Sequence, residues 1–230
     1  MKNLLKMGGI AALIGAATNL FALVTYITLL EPKGYGSGDP GQIVAFLADN
    51  QALMHVWDIT IYLVFGVSMI FLSLALYERL KAGSPVLAPA VRVFTLIYAV
   101  LVILLGALEI NSLSTVVRLF GQNPAQAATV WLTLDSVATG LGAGGGETIV
   151  TGLWFLLLSW AALQARALPR LLNYLGVVVG LAGILYVFTA SAAVLSVNAL
   201  GLIIWFVWLG IVMLRSNPGK TVTNELLSAA

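Results

Sequence analysis

The stretch LMHVWDITIYLVFGVSMIFLSLALY, residues 53–77, decides the fold, because it is long enough and apolar enough to cross a membrane. A helix that crosses the hydrocarbon core of about 30 Å needs about 20 predominantly apolar residues. This stretch contains one acid, Asp58, and one histidine, His55, both close to its first end. The sequence therefore predicts a transmembrane helix that carries a few polar groups near one membrane surface.

Five further stretches have the same apolar character, and the six predicted spans cover residues 8–30, 53–77, 86–110, 147–168, 171–195 and 199–214. The chain is 60% hydrophobic and only 9% charged, with a mean hydropathy of +1.03, whereas soluble domains are about 25% charged. The first apolar stretch exceeds the roughly 7–15 residues of a signal-peptide core, so we interpret it as a retained helix. The expected fold class is all-α, a polytopic membrane helical bundle that forms a single transmembrane domain over residues 1–230.

Two long connections separate the predicted spans. The first covers residues 31–51 and includes an amphipathic segment at 42–49. The second covers residues 111–146, with amphipathic helices expected around 114–120 and after Pro124. We expect these short helices to lie on the outer membrane surface as a cap.

The placement of basic residues predicts the orientation, because Lys and Arg are enriched in cytoplasmic loops. With the N-terminus inside, Lys33 and Arg118 are the two basic residues on the outer side. The other nine are cytoplasmic, namely Lys2, Lys6, Arg79, Lys81, Arg92, Arg166, Arg170, Arg215 and Lys220. This distribution predicts that both termini are cytoplasmic, and Glu225 would lie on the same side.

The second predicted helix carries a polar stripe, because Gln51, His55, Asp58 and Tyr62 recur at spacings of four, three and four residues. Ionisable groups within a membrane are costly and usually face the bundle interior or a wet cavity. His55 lies one turn from Asp58 and could pair with it. The stripe is then either the wall of an outward-facing binding pocket or a structural pair that satisfies itself.

Two further acids lie near the same membrane surface. Glu109 comes at the end of the third predicted helix, where Arg118 would become its partner if the chain folded back. Glu147 begins the fourth helix, where an acid complements the positive end of the helix dipole. Because Asp58, Glu109 and Glu147 fall at similar depth, we predict that they could form an acidic pocket for a small solute, a cation or a lipid head group. The candidate ligand-binding residues are His55, Asp58, Tyr62, Glu109 and Glu147.

The sequence also disfavours several classes of chemistry. It contains no cysteine and one histidine, which excludes disulfides, thiolate metal sites and a cysteine nucleophile. No H-E-x-x-H spacing and no G-x-S-x-G elbow is present. We therefore predict no metal and no cofactor, and enzymatic activity is disfavoured. The net charge is only +2 and no basic run occurs, so nucleic acid is not an expected partner.

Glycine spacing indicates how the fifth predicted helix packs. Gly176 and Gly180 form a GxxxG pattern that Gly183 extends, and such patterns allow a neighbouring helix to approach closely. We expect this helix to lie in the interior of the bundle. Ser196 and Asn198 are the polar residues before the sixth helix, so the turn between the two helices is predicted there.

Two stretches carry a family resemblance, LALYERLKAG at residues 74–83 and ALPRLLNYLGVVVGLAGIL at residues 167–185. With the helix that carries Asp58, they resemble small bacterial six-span membrane proteins classed only as a domain of unknown function. The resemblance implies an inner-membrane location but no activity. Two functions stay open: a protein that binds a small solute, cation or lipid, as a transport component would, or a non-catalytic subunit of a larger membrane complex or homo-oligomer.

Overall fold

The computed structural model describes residues 2–36 and 38–215, and the regular structure within these ranges is entirely helical. Six helical stretches are long and apolar enough to cross a membrane. The predicted all-α polytopic bundle is therefore confirmed. Lys220 and Glu225, which belong to the predicted cytoplasmic tail, lie outside the described residues.

Nine α-helices follow one another along the described chain: α1 (Lys2–Thr25), α2 (Pro40–Asp49), α3 (Gln51–Asp58), α4 (Phe65–Leu80), α5 (Leu87–Phe120), α6 (Pro124–Leu141), α7 (Gly146–Ala165), α8 (Arg170–Thr189) and α9 (Ala192–Arg215). A π-helical segment, Tyr26–Leu30, extends α1, and a second one, Ile59–Val64, joins α3 to α4 without a break. The second apolar stretch, which decides the fold, is therefore one continuous helix that contains a short π-helical segment.

Helix α5 is longer than the sequence predicts. It runs without interruption for 34 residues to Phe120, so residues 114–120 form its last two turns rather than a separate helix. No Pro or Gly occurs between Ile110 and Phe120 to end the helix earlier. A helix of this length spans about 51 Å, so it extends beyond a hydrocarbon core of about 30 Å.

The turn between the last two helices is also displaced from its predicted position. It lies at Ala190, whose φ of 48° is left-handed, and not at Ser196 and Asn198. Both of these residues lie within α9, and their side chains are hydrogen-bonded, one within α9 and the other to α8. Ser196 Oγ donates to the carbonyl of Ala192 at 2.9 Å, and Asn198 Nδ2 donates to the carbonyl of Val179 at 3.0 Å.

The glycine face of α8 packs closely against α7, as its spacing predicts. A Cβ added at Gly180 would lie 2.7 Å from the carbonyl oxygen of Gly152 and 3.0 Å from Cβ of Phe155. The expectation that α8 is an interior helix is nevertheless wrong, because Val178, Leu181 and other large side chains on its opposite face are exposed. The glycines bring one face close to α7, and the remaining face is left for lipid.

The centre of the bundle is an aromatic core formed by Phe65, Tyr98, Trp154, Phe155, Trp205 and Phe206. The rings of Phe155 and Trp205 meet edge to face with centroids 4.8 Å apart. Trp154 is fully buried, and its indole Nε1–H donates to Thr95 Oγ1 at 2.7 Å. This core joins α4, α5, α7 and α9.

One end of the bundle, the basic end, is where α4, α7 and α9 end and α1, α5 and α8 begin. Polar side chains tie its turns together. Arg79 Nε donates to the carbonyl of Ala167 at 2.8 Å, and Ser84 Oγ lies 2.8 Å from Gln164 Oε1. These bonds satisfy polar groups that would otherwise be left unpaired at the helix ends.

The opposite end carries a cap, defined as α2 and α6 with the adjoining ends of α3 and α5. The cap has an apolar cluster of its own, which includes Leu30, Val44, Leu47, Met54, Leu113 and Ala127. Both cap helices begin at a proline and are capped by an Asp or Asn side chain: Asp39 accepts from Gly41 N at 2.8 Å, and Asn123 accepts from Gln126 N at 3.1 Å. These are the amphipathic helices expected in the two long connections.

Candidate ligand-binding site

A central cavity of about 260 Å³ lies between the aromatic core and the cap. Its apolar wall includes Phe65, Val102 and Leu105. Its polar wall is formed by Asn19, Tyr62, Tyr98, Glu109, Asp135 and Glu147. The cavity therefore brings together side chains from α1, α4, α5, α6, α7 and the π-helical segment before α4.

Two smaller cavities adjoin the central cavity through shared side chains. The cap cavity, of about 20 Å³, is lined by Asp58 and Tyr35 and shares Glu109 and Asp135 with the central cavity. The rear cavity, of about 180 Å³, shares Asn19, Tyr98 and Glu147 with it, and its other lining residues are partly polar and partly apolar, among them Asn198 and Leu202. The three cavities are therefore neighbours that share acidic side chains.

Asp58 is the most deeply placed acid, with 3% of its surface exposed. It is the last residue of α3, and it shares the buried face of that helix with Met54, four residues earlier. The side chain of Asp58 forms no hydrogen bond or ion pair with any residue that the structure describes, and Glu109 lines the same cavity. A buried carboxylate without a partner is costly, so its surroundings favour a cation or a proton.

Glu109 lies between Asp58 and Asp135, lines both the central and the cap cavity, and is partly buried. The expected pairing with Arg118 is wrong. Because α5 continues straight past Glu109, Arg118 lies nine residues further on, about 13 Å along the helix axis. Across the described ranges, Lys81 with Glu78 is the ion pair that forms, at the basic end.

Asp135 is an acid that sequence reasoning did not assign to the site. It lies on α6, which returns alongside α5, and this places its exposed side chain beside Glu109. Trp131 and Leu134 on the same helix also line the cap cavity. The sequence did contain a signal for Asp135, because an acid four residues after Trp131 lies on the apolar face of an amphipathic helix.

Glu147 is surrounded by hydroxyl groups rather than by other acids. It lies in the first turn of α7, where Thr151 Oγ1 lies 3.0 Å from its Oε1 and donates to its main-chain carbonyl at 2.9 Å. The hydroxyls of Tyr98 and Thr148 also face its carboxyl group. Glu147 lines both the central and the rear cavity, so its position at the helix N-terminus and a place in a binding site are compatible.

Tyr62 and His55, the other two predicted site residues, have different placements. Tyr62 lines the central cavity and packs against Gly106 of α5, where an added Cβ would collide with it. His55 lines none of the three cavities, and no bond joins it to Asp58 in the described part of the chain. Successive helical residues are rotated by 100°, so a face centred on Met54 and Asp58 leaves His55 to one side.

Tyr35 is a second residue that sequence reasoning missed. It follows the short turn after α1, and its ring meets Trp57 edge-on with centroids 6.3 Å apart. Burial raises the pKa of the Tyr35 hydroxyl, and the nearby Glu109 and Asp58 raise this pKa further. The hydroxyl therefore stays neutral and can donate a hydrogen bond in the cap cavity.

The acids of this region are not arranged as a metal site. Among the described residues, no three His, Asp or Glu side chains lie close enough together to hold one metal ion. No Lys, Arg or His belongs to the described lining of the central or the cap cavity. The arrangement is thus an acidic cavity with hydroxyl and amide donors at its sides.

Comparison with known proteins places the whole bundle in one family. The family model described as "Domain of unknown function (DUF4386)" matches residues 7–214, a range that contains four of the six membrane-crossing stretches in full and most of the first and the last. No curated protein and no solved structure matches the chain.

Proposed function

We propose that this chain, which belongs to the DUF4386 family, binds a small organic cation in its central cavity. The chain is an integral multi-pass membrane protein. The observation that carries the proposal is the convergence of Glu109, Asp135 and Glu147, from three different helices, on one cavity with no basic side chain in its described lining. Because charge in a membrane protein interior is costly, acids without a countercharge favour a cationic occupant.

The size and lining of the cavity support a small organic ligand. Its volume of about 260 Å³ is below the roughly 300–1,000 Å³ of pockets for drug-sized molecules. Phe65, Val102 and Leu105 offer apolar contacts that a hydrated metal ion would not use. A phospholipid head group is disfavoured, because its phosphate would meet carboxylates and no basic residue.

Access to the cavity is proposed from the cap side. Asp135 is exposed and Asp58 is buried, so the acids extend from the surface of the protein into its interior. The basic residue distribution supports a cap that faces away from the cytoplasm of a bacterial inner membrane. Reporter fusions after Lys81, Arg170 and Lys220 should all report cytoplasm, and an external signal at any of them would contradict this orientation.

The binding proposal can be tested by thermal unfolding in detergent, with n-butylamine hydrochloride as the probe and potassium chloride at equal ionic strength as the salt control. A ligand present at about 100 times its Kd stabilises the folded state by about 2.7 kcal/mol. We expect n-butylamine to raise the Tm of the wild-type protein and to have a much smaller effect on Glu109→Gln.

Glu31→Gln is the matched control, because Glu31 is exposed and lines none of the three cavities. It should respond to n-butylamine as the wild type does. Equal responses of Glu109→Gln and Glu31→Gln, or no response of the wild type to the amine, would remove the proposed function.

A second candidate is a non-catalytic subunit of a larger membrane complex. It is favoured by an apolar groove of about 400 Å³ between α1 and α4, lined by Met7, Ile10, Ile14, Leu63, Val67 and Phe71 among others. Purification in a mild detergent distinguishes the two functions. A partner recovered in fixed stoichiometry, and lost on Ile14→Asn, would favour the subunit.

A further inference from the structure

We propose that the central cavity takes a linear aliphatic diamine, with one ammonium group beside Glu109 and Asp135 and the other beside Glu147. This inference rests on the proposed function and names the ligand class for the same cavity. It depends on how the acids are distributed around the cavity, rather than on their number.

The acids form two separate poles. At the first pole Glu109 and Asp135 line the central cavity and, together with Asp58, the cap cavity. At the second pole Glu147 lines the central cavity and the rear cavity, where Tyr98, Thr148 and Thr151 line the wall with it and no other acid does. Tyr62 lines the central cavity with the acids of both poles.

Part of the wall of the central cavity is apolar. Val102 and Leu105 line the cavity from the same face of α5 as Glu109, and Phe65 and Ala138 line it from other helices. Val102 lies seven residues before Glu109, which corresponds to about 10 Å along the helix axis. Methylene groups can pack against this wall while the two ends of the ligand meet carboxylates.

Asp58 provides independent support for a cation at the first pole. Only 3% of Asp58 is exposed, and its side chain has no partner in the described ranges. It lines the cap cavity together with Glu109 and Asp135. That cavity, of about 20 Å³, has room for about one water molecule. Through such a water, Asp58 would interact with an ammonium group held by Glu109 and compensate its own burial.

A monoamine would occupy one pole and leave the other without a countercharge. A diamine adds a second charge-assisted interaction at Glu147 without a second cost of association. We therefore expect the wild-type protein to bind the best diamine at least about tenfold more tightly than the monoamine.

The test measures Kd in detergent by calorimetry for n-butylamine and for α,ω-diamines from 1,3-diaminopropane to 1,8-diaminooctane. Wild type, Glu147→Gln and the exposed-site control Glu31→Gln are compared. We expect wild-type affinity to rise to a maximum at one chain length. In Glu147→Gln the diamine advantage should fall to within about twofold of the monoamine, while Glu31→Gln should keep the wild-type advantage at every chain length.

The outcomes separate this inference from the proposed function. If wild type binds n-butylamine as tightly as every diamine, the diamine proposal fails and the proposed function stands. If no amine binds, both fail. Equal weakening of n-butylamine and the diamines in Glu147→Gln would contradict the two-pole arrangement. Should Glu147→Gln not fold, the chain-length series on wild type decides alone, and a flat series overturns the proposal.

Discussion

The two ends of the bundle differ in whether their buried polar side chains have partners. At the basic end, Arg79 and Ser84 each bind a group on the neighbouring α7–α8 hairpin, and these bonds join turns that are distant in sequence. At the cap end, Asp58 is buried without a partner in the described ranges, and Glu109 faces other acids. Polar side chains thus join distant turns at one end, whereas at the other end Asp58 and Glu109 meet no basic partner among the described residues.

This difference separates groups that stabilise the fold from groups that the fold only accommodates. A satisfied buried hydrogen bond makes a net contribution of about 1 kcal/mol, whereas an unpaired buried charge costs stability. Where a fold retains an unpaired buried group, ligand binding at that place is expected to recover part of the stability that the group costs. Substitutions at the two ends should therefore change stability in opposite directions.

The largest effect is expected where α7 and α8 approach each other closely, next to the aromatic core. Gly180→Leu would drive a side chain into the backbone of Gly152 and into Phe155, and overpacking of this kind costs about 3 kcal/mol. Gly140→Leu is the control, because no atom lies within 4 Å of an added Cβ there. Thermal unfolding in detergent should show a much lower Tm for Gly180→Leu only. A Tm equal to that of wild type would mean that α7 and α8 are not in contact at Gly180.

A smaller loss of stability is expected when a buried hydrogen bond in the aromatic core is removed. Thr95→Val removes the acceptor of the fully buried Trp154 Nε1–H, which should cost about 1–3 kcal/mol. Thr129 also bonds to the carbonyl four residues earlier but is exposed, so Thr129→Val should change little. Chemical denaturation of both variants checks the difference, and equal stabilities would show that the indole bond is not needed.

The comparison between the ends would be sharpened by a gain in stability at the cap end. Asp58→Asn replaces an unpaired buried charge with a neutral amide, so the ligand-free protein should be more stable than wild type by about 1 kcal/mol at pH 8. The same variant should lose most of its stabilisation by amines while keeping its fold. Asp49→Asn, at an exposed position of the cap, should do neither. A large destabilisation by Asp58→Asn would instead make Asp58 a structural residue.

The smallest effect is expected at His55. This side chain is half-buried and lines none of the three cavities, so His55→Gln should change stability by less than about 0.5 kcal/mol. Its response to n-butylamine should equal that of wild type in the same thermal-shift measurement. Loss of the amine response would return His55 to the binding site, where the polar stripe first suggested it.

The candidate site was predictable to the extent that its residues are unusual in their own segments. Asp58, Glu109 and Glu147 are acids in or beside apolar helices, and the structure places them on adjoining cavities. Asp135 was missed because it lies in a connection, where an acid is ordinary and helical periodicity alone does not show which helix it will face. The proposed bond between His55 and Asp58 did not form, because spacing along a helix fixes a shared side but not a shared contact.

The sequence by itself determined that this is an all-helical membrane protein with six crossing stretches. Hydropathy and length are properties of each segment alone, and they decide whether that segment can cross a bilayer. Only the tertiary structure decided which polar groups meet. The uninterrupted length of α5 carries Arg118 away from Glu109, and the return of α6 along α5 brings Asp135 beside it. Such convergence depends on contacts between helices far apart in sequence, and no property of one segment encodes the position of its neighbour.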